Sequence, residues 1–297
     1  VAKVVECIPN VSEGRNLAVV EAVVAEVRQV PGVVLLDWAS NADHNRTVVT
    51  FAGEPEGVLE AAWRLVKKAA ELIDLDAHQG EHPRMGATDV VPFVPVRDVS
   101  MDECVELAKR LGERVGRELN IPVYLYEKAA TRPERRNLAE VRRGQYEGLK
   151  ESIKTPERRP DYGPAVLGKA GAVAIGARPP LVAFNVNLGT ANLEIAKAIA
   201  KAIRGSSGGF VHVKALAVDL AAQGQVQISM NMVDTQGTPL HRALEFIRRE
   251  AANYGVPVVG SEIVGLVPLQ AMLDAAAYYL QLHDFSSEQI LEKRVFG

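Results

Sequence analysis

Apolar positions in this chain alternate between short blocks rich in Val and Ile and longer stretches spaced at three and four, so strands and helices take turns. Residues 4–8 (VVECI) read as a strand. Ser12-Glu13-Gly14-Arg15-Asn16 reads as a turn, with Asn16 as N-cap of a helix over 17–29 that Pro31-Gly32 stops. Residues 33–37 and 46–51 are two further strands, joined by the polar loop 41–45. Pro55 lies in the first turn of a helix reaching about residue 73. After a Gly- and Pro-punctuated loop come a strand over 89–93, a helix from a Ser100 to Glu103 capping box to about 119, and a strand over 122–126.

The second half repeats the opening order: strand 181–187, helix 193–204, strands 211–220 and 225–233 as a hairpin, helix 239–254, and strand 257–264. That is β-α-β-β-α-β, the ferredoxin-like unit, and residues 4–73 begin in the same way. Ile8-Pro9-Asn10-Val11-Ser12 and Asn185-Val186-Asn187-Leu188-Gly189 each place Asn after an apolar strand. The fold class expected is therefore α/β, an α+β sandwich built from two related ferredoxin-like subdomains with a ligand cleft between them. Arg178-Pro179-Pro180 marks the boundary, giving subdomains 1–178 and 179–297. Residues 155–163 are Pro- and charge-rich and 163–176 Gly- and Ala-rich, which suits a solvated linker or a binding loop.

Composition narrows the function class. With 34 basic and 37 acidic side chains the net charge is −3, which argues against nucleic acid as the main partner while permitting local basic pockets. Two cysteines, Cys7 and Cys104, sit in apolar runs without CxxC spacing, as expected of buried thiols in a reducing compartment. No signal-peptide pattern and no membrane-length apolar run is visible, so a cytoplasmic protein is expected.

Chemistry concentrates in Gly80-Glu81-His82-Pro83-Arg84-Met85-Gly86-Ala87-Thr88-Asp89, which carries an imidazole, two carboxylates and a guanidinium on backbone that cannot be helical. His82 is the candidate proton-transfer group, with Asp37, Glu81 or Asp89 as supporting carboxylates. Arg46 and Arg84 have the planar fork that suits carboxylates, and Asn10 and Asn45 stand with them as substrate-binding candidates. Asp76, His78, Glu81, His82 and Asp89 include metal-ligand types, but Gly80 and Pro83 break helical spacing, and no metal is expected. Residues 163–169 match GxxxxGK, yet Ala170 replaces the Ser/Thr and Pro164 removes an N–H, so a nucleotide phosphate loop is not expected. No GxSxG elbow appears, which leaves covalent catalysis unsupported.

Residues 5–14 (VECIPNVSEG), 45–48 (NRTV), 80–87 (GEHPRMGA) and 257–268 (PVVGSEIVGLVP) together resemble glutamate formimidoyltransferases, in a single-function form without the cyclodeaminase domain that some relatives carry. The resemblance implies transfer of a formimino group from N-formimino-L-glutamate to N5 of tetrahydrofolate during histidine breakdown, by a homodimer. His82 would be the catalytic acid/base. Gly163, Pro164, Ala165, Lys169 and Gly171 would belong to the folate-binding stretch, and folate would lie in the cleft between the subdomains. Bifunctional relatives have an acid two residues beyond Asp37, where this chain has Ala39, so that role falls to Asp37 or Asp43 or is absent. ATP-dependent cyclisation of 5-formyltetrahydrofolate, and a non-catalytic folate- or amino-acid-binding module, are the alternatives.

Overall fold

The computed structural model describes residues 3–80 and 82–296. The chain divides into two compact units, Val1–Arg178 and Pro179–Gly297. In the first, β1 (Val4–Cys7) and β2 (Asn10–Val11) form one interrupted strand, broken where Pro9 has no N–H to give. α1 (Leu17–Arg28) starts at Asn16, whose side chain accepts from the Val19 N–H. β3 (Val33–Asn41) and β4 (Arg46–Gly53) pair antiparallel, and α2 (Pro55–Leu72) has Pro55 in its first turn. β5 (Thr88–Arg97) is followed by α3 (Met101–Glu118), which opens on a complete capping box between Ser100 and Glu103. Next come β6 (Val123–Glu127), the short helices α4 (Leu138–Val141) and α5 (Gln145–Ser152), and β7 (Val173–Ala177).

β1 and β2 lie antiparallel between β4 and β5, with β3 beyond β4. β7 runs parallel to β5 on one side and β6 on the other. α1, α2 and α3 cover one face through a core that includes Val24, Leu65, Leu111, Phe51, Phe93 and Ile175. Val141, Leu149 and Ile153 of α4 and the α5 region cover part of the other, over Tyr124, Tyr126, Val90 and Met85.

Of the two readings of 155–176, the solvated linker is a misreading. Val173–Ala177 is a fully buried interior strand, and within the Pro- and charge-rich part Asp161 accepts from the Leu125 N–H at 2.8 Å and pairs with Arg135 at 2.5 Å. A strand buried on both faces shows continuous small apolar residues rather than alternation, so it looked like a Gly/Ala spacer.

The second unit holds β8 (Val182–Leu188), α6 (Leu193–Ile203), β9 (Val213–Leu220), β10 (Gln225–Met232), α7 (Leu240–Asn253) and β11 (Val258–Val264), then α8 (Leu269–Tyr279) and α9 (Leu291–Phe296), which the sequence reading had not placed. The sheet order is β11-β8-β10-β9, antiparallel throughout. Val182, Phe184, Val186 and Leu188 share a core with Ile199 of α6 and Ile247 of α7. The order second-third-first-fourth strand recurs in the first unit as β3, β4, β1 with β2, and β5, to which that unit adds β7 and β6. Among the described residues no helix is long and apolar enough to cross a membrane.

Candidate active site

The loop between α2 and β5 is held from both sides by backbone. Ser12, just after β2, donates its N–H to Ala87 O at 2.8 Å and its hydroxyl to Gly86 O at 2.7 Å. On the far side Ala87 N–H meets Ala170 O at 2.8 Å, and Ala172 N–H meets Met85 O at 2.9 Å. The two chains pass so closely that a Cβ on Gly86 would stand 1.9 Å from Ala172 O. One on Gly171, at φ +69°, would stand 2.4 Å from Met85 O.

A pocket opens beside this loop within the first unit. Val11 of β2 and the following Ser12 line it, with His44, Asn45 and Arg46 from the turn into β4, His78, His82 and Arg84 from the loop, and Asp89 from the start of β5. Asn45, at φ +47°, is a structural tie: its Oδ1 accepts from the Gly14 N–H and its Nδ2 donates to Gln79 O, both at 2.9 Å. The buried His78 lies with Nε2 2.9 Å from Asn45 O and accepts at Nδ1 from Arg84 Nε at 3.2 Å. That pair of contacts sets its tautomer, with the hydrogen on Nε2. Arg84 spends its remaining donors on Glu147 (2.6 and 2.8 Å), Gln145 and His78 O. Its fork is therefore committed within the chain.

Arg46 differs. Among the described residues it has no carboxylate partner; its guanidinium donates to Asn10 Oδ1, and its buried Nε bonds to nothing. Burial first, and then the nearby Arg142, pull its pKa down to about 10, against the attraction of Asp89. Asp89, 2% exposed, accepts from the Met85 N–H at 2.9 Å and pairs with Arg142. His82 is partly buried beside this cluster, its ring centroid 6.1 Å from that of His44. Burial, then Arg46 and Arg142, push its pKa down to about 3, so the free imidazole is neutral at physiological pH.

Of the expected residues, His82, Arg46, Arg84, Asn45 and Asp89 thus line one pocket, and Asn10 stands behind Arg46. Asp37 does not join them: it is exposed on β3, next to a bulge. Glu81 lies outside the described residues. Gly163, at φ +78°, packs on Gly116 and Ile121 and does not line the pocket. Pro164 and Ala165 are partly buried, and the exposed Lys169 pairs with Asp74 at 2.8 Å. Gly171 braces the His82 loop from behind. The GxxxxGK match runs into β7, not a helix, so it lacks the context of a phosphate loop. Sequence reading missed Arg142 and Glu147, whose partners are 53 and 63 residues away. It also missed His44, whose only signal was the polarity of loop 41–45. Among the described residues no three His, Cys, Asp or Glu side chains converge as metal ligands.

A neutral imidazole beside a buried guanidinium with no carboxylate partner among the described residues is an arrangement able to exchange protons next to a bound anion. Comparison with known proteins gives the family: residues 4–178 match the formiminotransferase domain, N-terminal subdomain, and residues 183–294 the formiminotransferase domain. The chain belongs to the formiminotransferase family. It is 54% identical to the glutamate formimidoyltransferase of Streptococcus pyogenes serotype M1 over the whole of both chains. With that of Thermoplasma acidophilum it shares 53% identity over 98% of this chain and 97% of the other. Against the rat formimidoyltransferase-cyclodeaminase it is 47% identical, over 94% of this chain and 52% of that protein.

Proposed function

We propose that this protein transfers the formimino group of N-formimino-L-glutamate to N5 of tetrahydrofolate, releasing L-glutamate and 5-formiminotetrahydrofolate in histidine breakdown. The observation that carries the reading is His82, neutral in a pocket whose one cation without a carboxylate partner, among the described residues, is Arg46. Arg46 takes a carboxylate of the formiminoglutamate. N5 of tetrahydrofolate attacks the formimino carbon and His82 accepts the proton that N5 loses. The tetrahedral intermediate collapses as the C–N bond to glutamate breaks, and the imidazolium returns that proton to the departing nitrogen. One base serves both steps because both nitrogens are bonded to the same carbon.

The low pKa of His82 fits this cycle once the substrate is considered. An anion on Arg46 cancels part of the positive field, so the imidazole becomes a better proton carrier only when the donor is bound. Asp89, held by Arg142, supplies the negative charge that faces a protonated formimino group. Arg84 positions His78 and the loop rather than binding substrate. Residues 163–171 serve folate indirectly, through the strap that Ala170 and Gly171 lay across Met85–Ala87; a homodimer and a cytoplasmic setting belong to the same proposal.

A spectrophotometric assay with formiminoglutamate and tetrahydrofolate, without nucleotide, tests it. Formation of 5-formiminotetrahydrofolate supports transfer. ATP-dependent turnover of 5-formyltetrahydrofolate alone, or ligand binding with no turnover, would replace this reading.

A further inference from the structure

Arg46 is aimed by the residue before it. Asn45 is held at φ +47°, a backbone conformation that few side chains adopt and that persists only where neighbours over-determine it. Every polar atom of Asn45 is engaged. Its N–H donates to Ala42 O at 3.3 Å, its side chain ties Gly14 to Gln79, and its carbonyl accepts from His78 Nε2 at 2.9 Å. Two glycines shut this turn in. A Cβ on Gly14 would stand 2.6 Å from Arg46 N, and one on Gly80 would stand 2.8 Å from Asn45 Cβ. Arg46 itself has few internal contacts to fix it, since its guanidinium donates to Asn10 Oδ1 and its buried Nε bonds to nothing. Its direction therefore comes from the backbone of the turn.

His78 connects that turn to a distant part of the chain. It is 9% exposed, and both ring nitrogens bond within the protein. Nδ1 accepts from Arg84 Nε at 3.2 Å, and the two terminal nitrogens of Arg84 reach the Glu147 carboxylate at 2.8 and 2.6 Å. The Tyr146 N–H donates to Arg84 O at 3.0 Å, so the first turn of α5 grips this arginine by main chain and side chain. A continuous run of hydrogen bonds thus passes from Glu147 through Arg84 and His78 to Asn45 O, one residue short of Arg46.

We propose that His78 is a positioning residue for Arg46: it holds the Asn45 carbonyl, and with it the backbone from which Arg46 meets a substrate carboxylate, while Arg84 and Glu147 hold the His78 ring. The proposal rests on the transfer reading above, in which Arg46 binds formiminoglutamate. A histidine that only filled space would be replaceable by any side chain of similar volume. One that aims Arg46 must present a donor at the place of Nε2.

Two amide variants of the full-length protein separate the two ends of the ring. His78→Gln reaches as far as Nε2 and can still donate to Asn45 O. His78→Asn stops near Nδ1, where it can accept from Arg84 but falls short of Asn45. Calorimetric titration with formiminoglutamate, steady-state kinetics in both substrates and thermal melting are read together. In His78→Asn the dissociation constant and KM for formiminoglutamate should rise about tenfold, a larger factor than any fall in kcat, with KM for tetrahydrofolate close to wild type. His78→Gln should bring both constants back to within about threefold of wild type, although the two variants lose the same ring and melt at similar temperatures. Equal rises in the two variants, no rise in either, or a rise confined to tetrahydrofolate would overturn the proposal. Should His78→Asn not fold, Glu147→Ala tests the exposed outer end of the run. A rise in KM for formiminoglutamate of about two- to fivefold at little-changed Tm supports the proposal, and an unchanged KM overturns it. Any of these results beside normal wild-type turnover leaves the transfer reading intact. A wild-type protein that binds formiminoglutamate and transfers nothing defeats that reading, while the dissociation constants still decide the role of His78.

Discussion

At the scale of single residues, the site is governed by what surrounds His82. Replacing His82 by Asn removes the proton carrier but keeps a polar side chain of similar reach. Turnover should fall about 10²–10⁴-fold with folate affinity little changed, read by steady-state kinetics beside a binding titration. Arg46→Met keeps the bulk and removes the charge. KM for formiminoglutamate should rise at least about tenfold, and the His82 pKa should climb from about 3 toward 6.5, visible as an NMR titration of its ring. The same shift sets a stability prediction. The unfolded imidazole takes up a proton near pH 6.5 while the folded one resists to about 3, so folded protein is progressively disfavoured as pH falls through that interval. His82→Asn should flatten that part of the curve of Tm against pH; a parallel curve would place the burden on other groups. His82 was legible because its chemistry is packed into one run of sequence. Arg142 was not, because the Asp89 it neutralises is 53 positions away and nothing local in Arg142-Arg143-Gly144 distinguishes one arginine from the other.

At the scale of elements, local signals were read wherever they act locally. Asn16 and the Ser100–Glu103 box cap the helices they were expected to cap, and Pro55 stands in the first turn of its helix as expected. β7 escaped because Val173–Ala177 owes its conformation to parallel neighbours from distant parts of the chain. Its approach segment also braces the His82 loop, and that gives a mutational prediction well away from the pocket. Gly171→Ala introduces a Cβ 2.4 Å from Met85 O at a residue of φ +69°, so either the strap or the loop must move. The expected outcome is a loss of about 1–3 kcal/mol in denaturant unfolding, with a fall in kcat larger than this instability explains at assay temperature. Unchanged kcat and stability would mean that the strap does not set the position of His82.

At the scale of the whole molecule, the repeated β-α-β-β-α-β order could be followed in sequence because it is a succession of local periodicities. The strand order could not, because it depends on which edges pair. Each unit closes its own sheet and has its own apolar cluster, with Val24, Leu65, Leu111 and Phe93 in the first and Phe184, Ile199, Ile228 and Ile247 in the second. Independent folding of each unit is therefore the expectation, provided its own apolar cluster offsets its own chain entropy. Cut at Arg178-Pro179, the two fragments should each unfold cooperatively in urea and show dispersed amide NMR spectra. The second fragment is the more demanding case, since its smaller core must stabilise the Asn185, Gln227 and Glu262 network without help from the first. A fragment 179–297 that is collapsed but lacks a cooperative transition would show that its fold depends on the rest of the chain, and that the repeat is one of topology and not of autonomous stability.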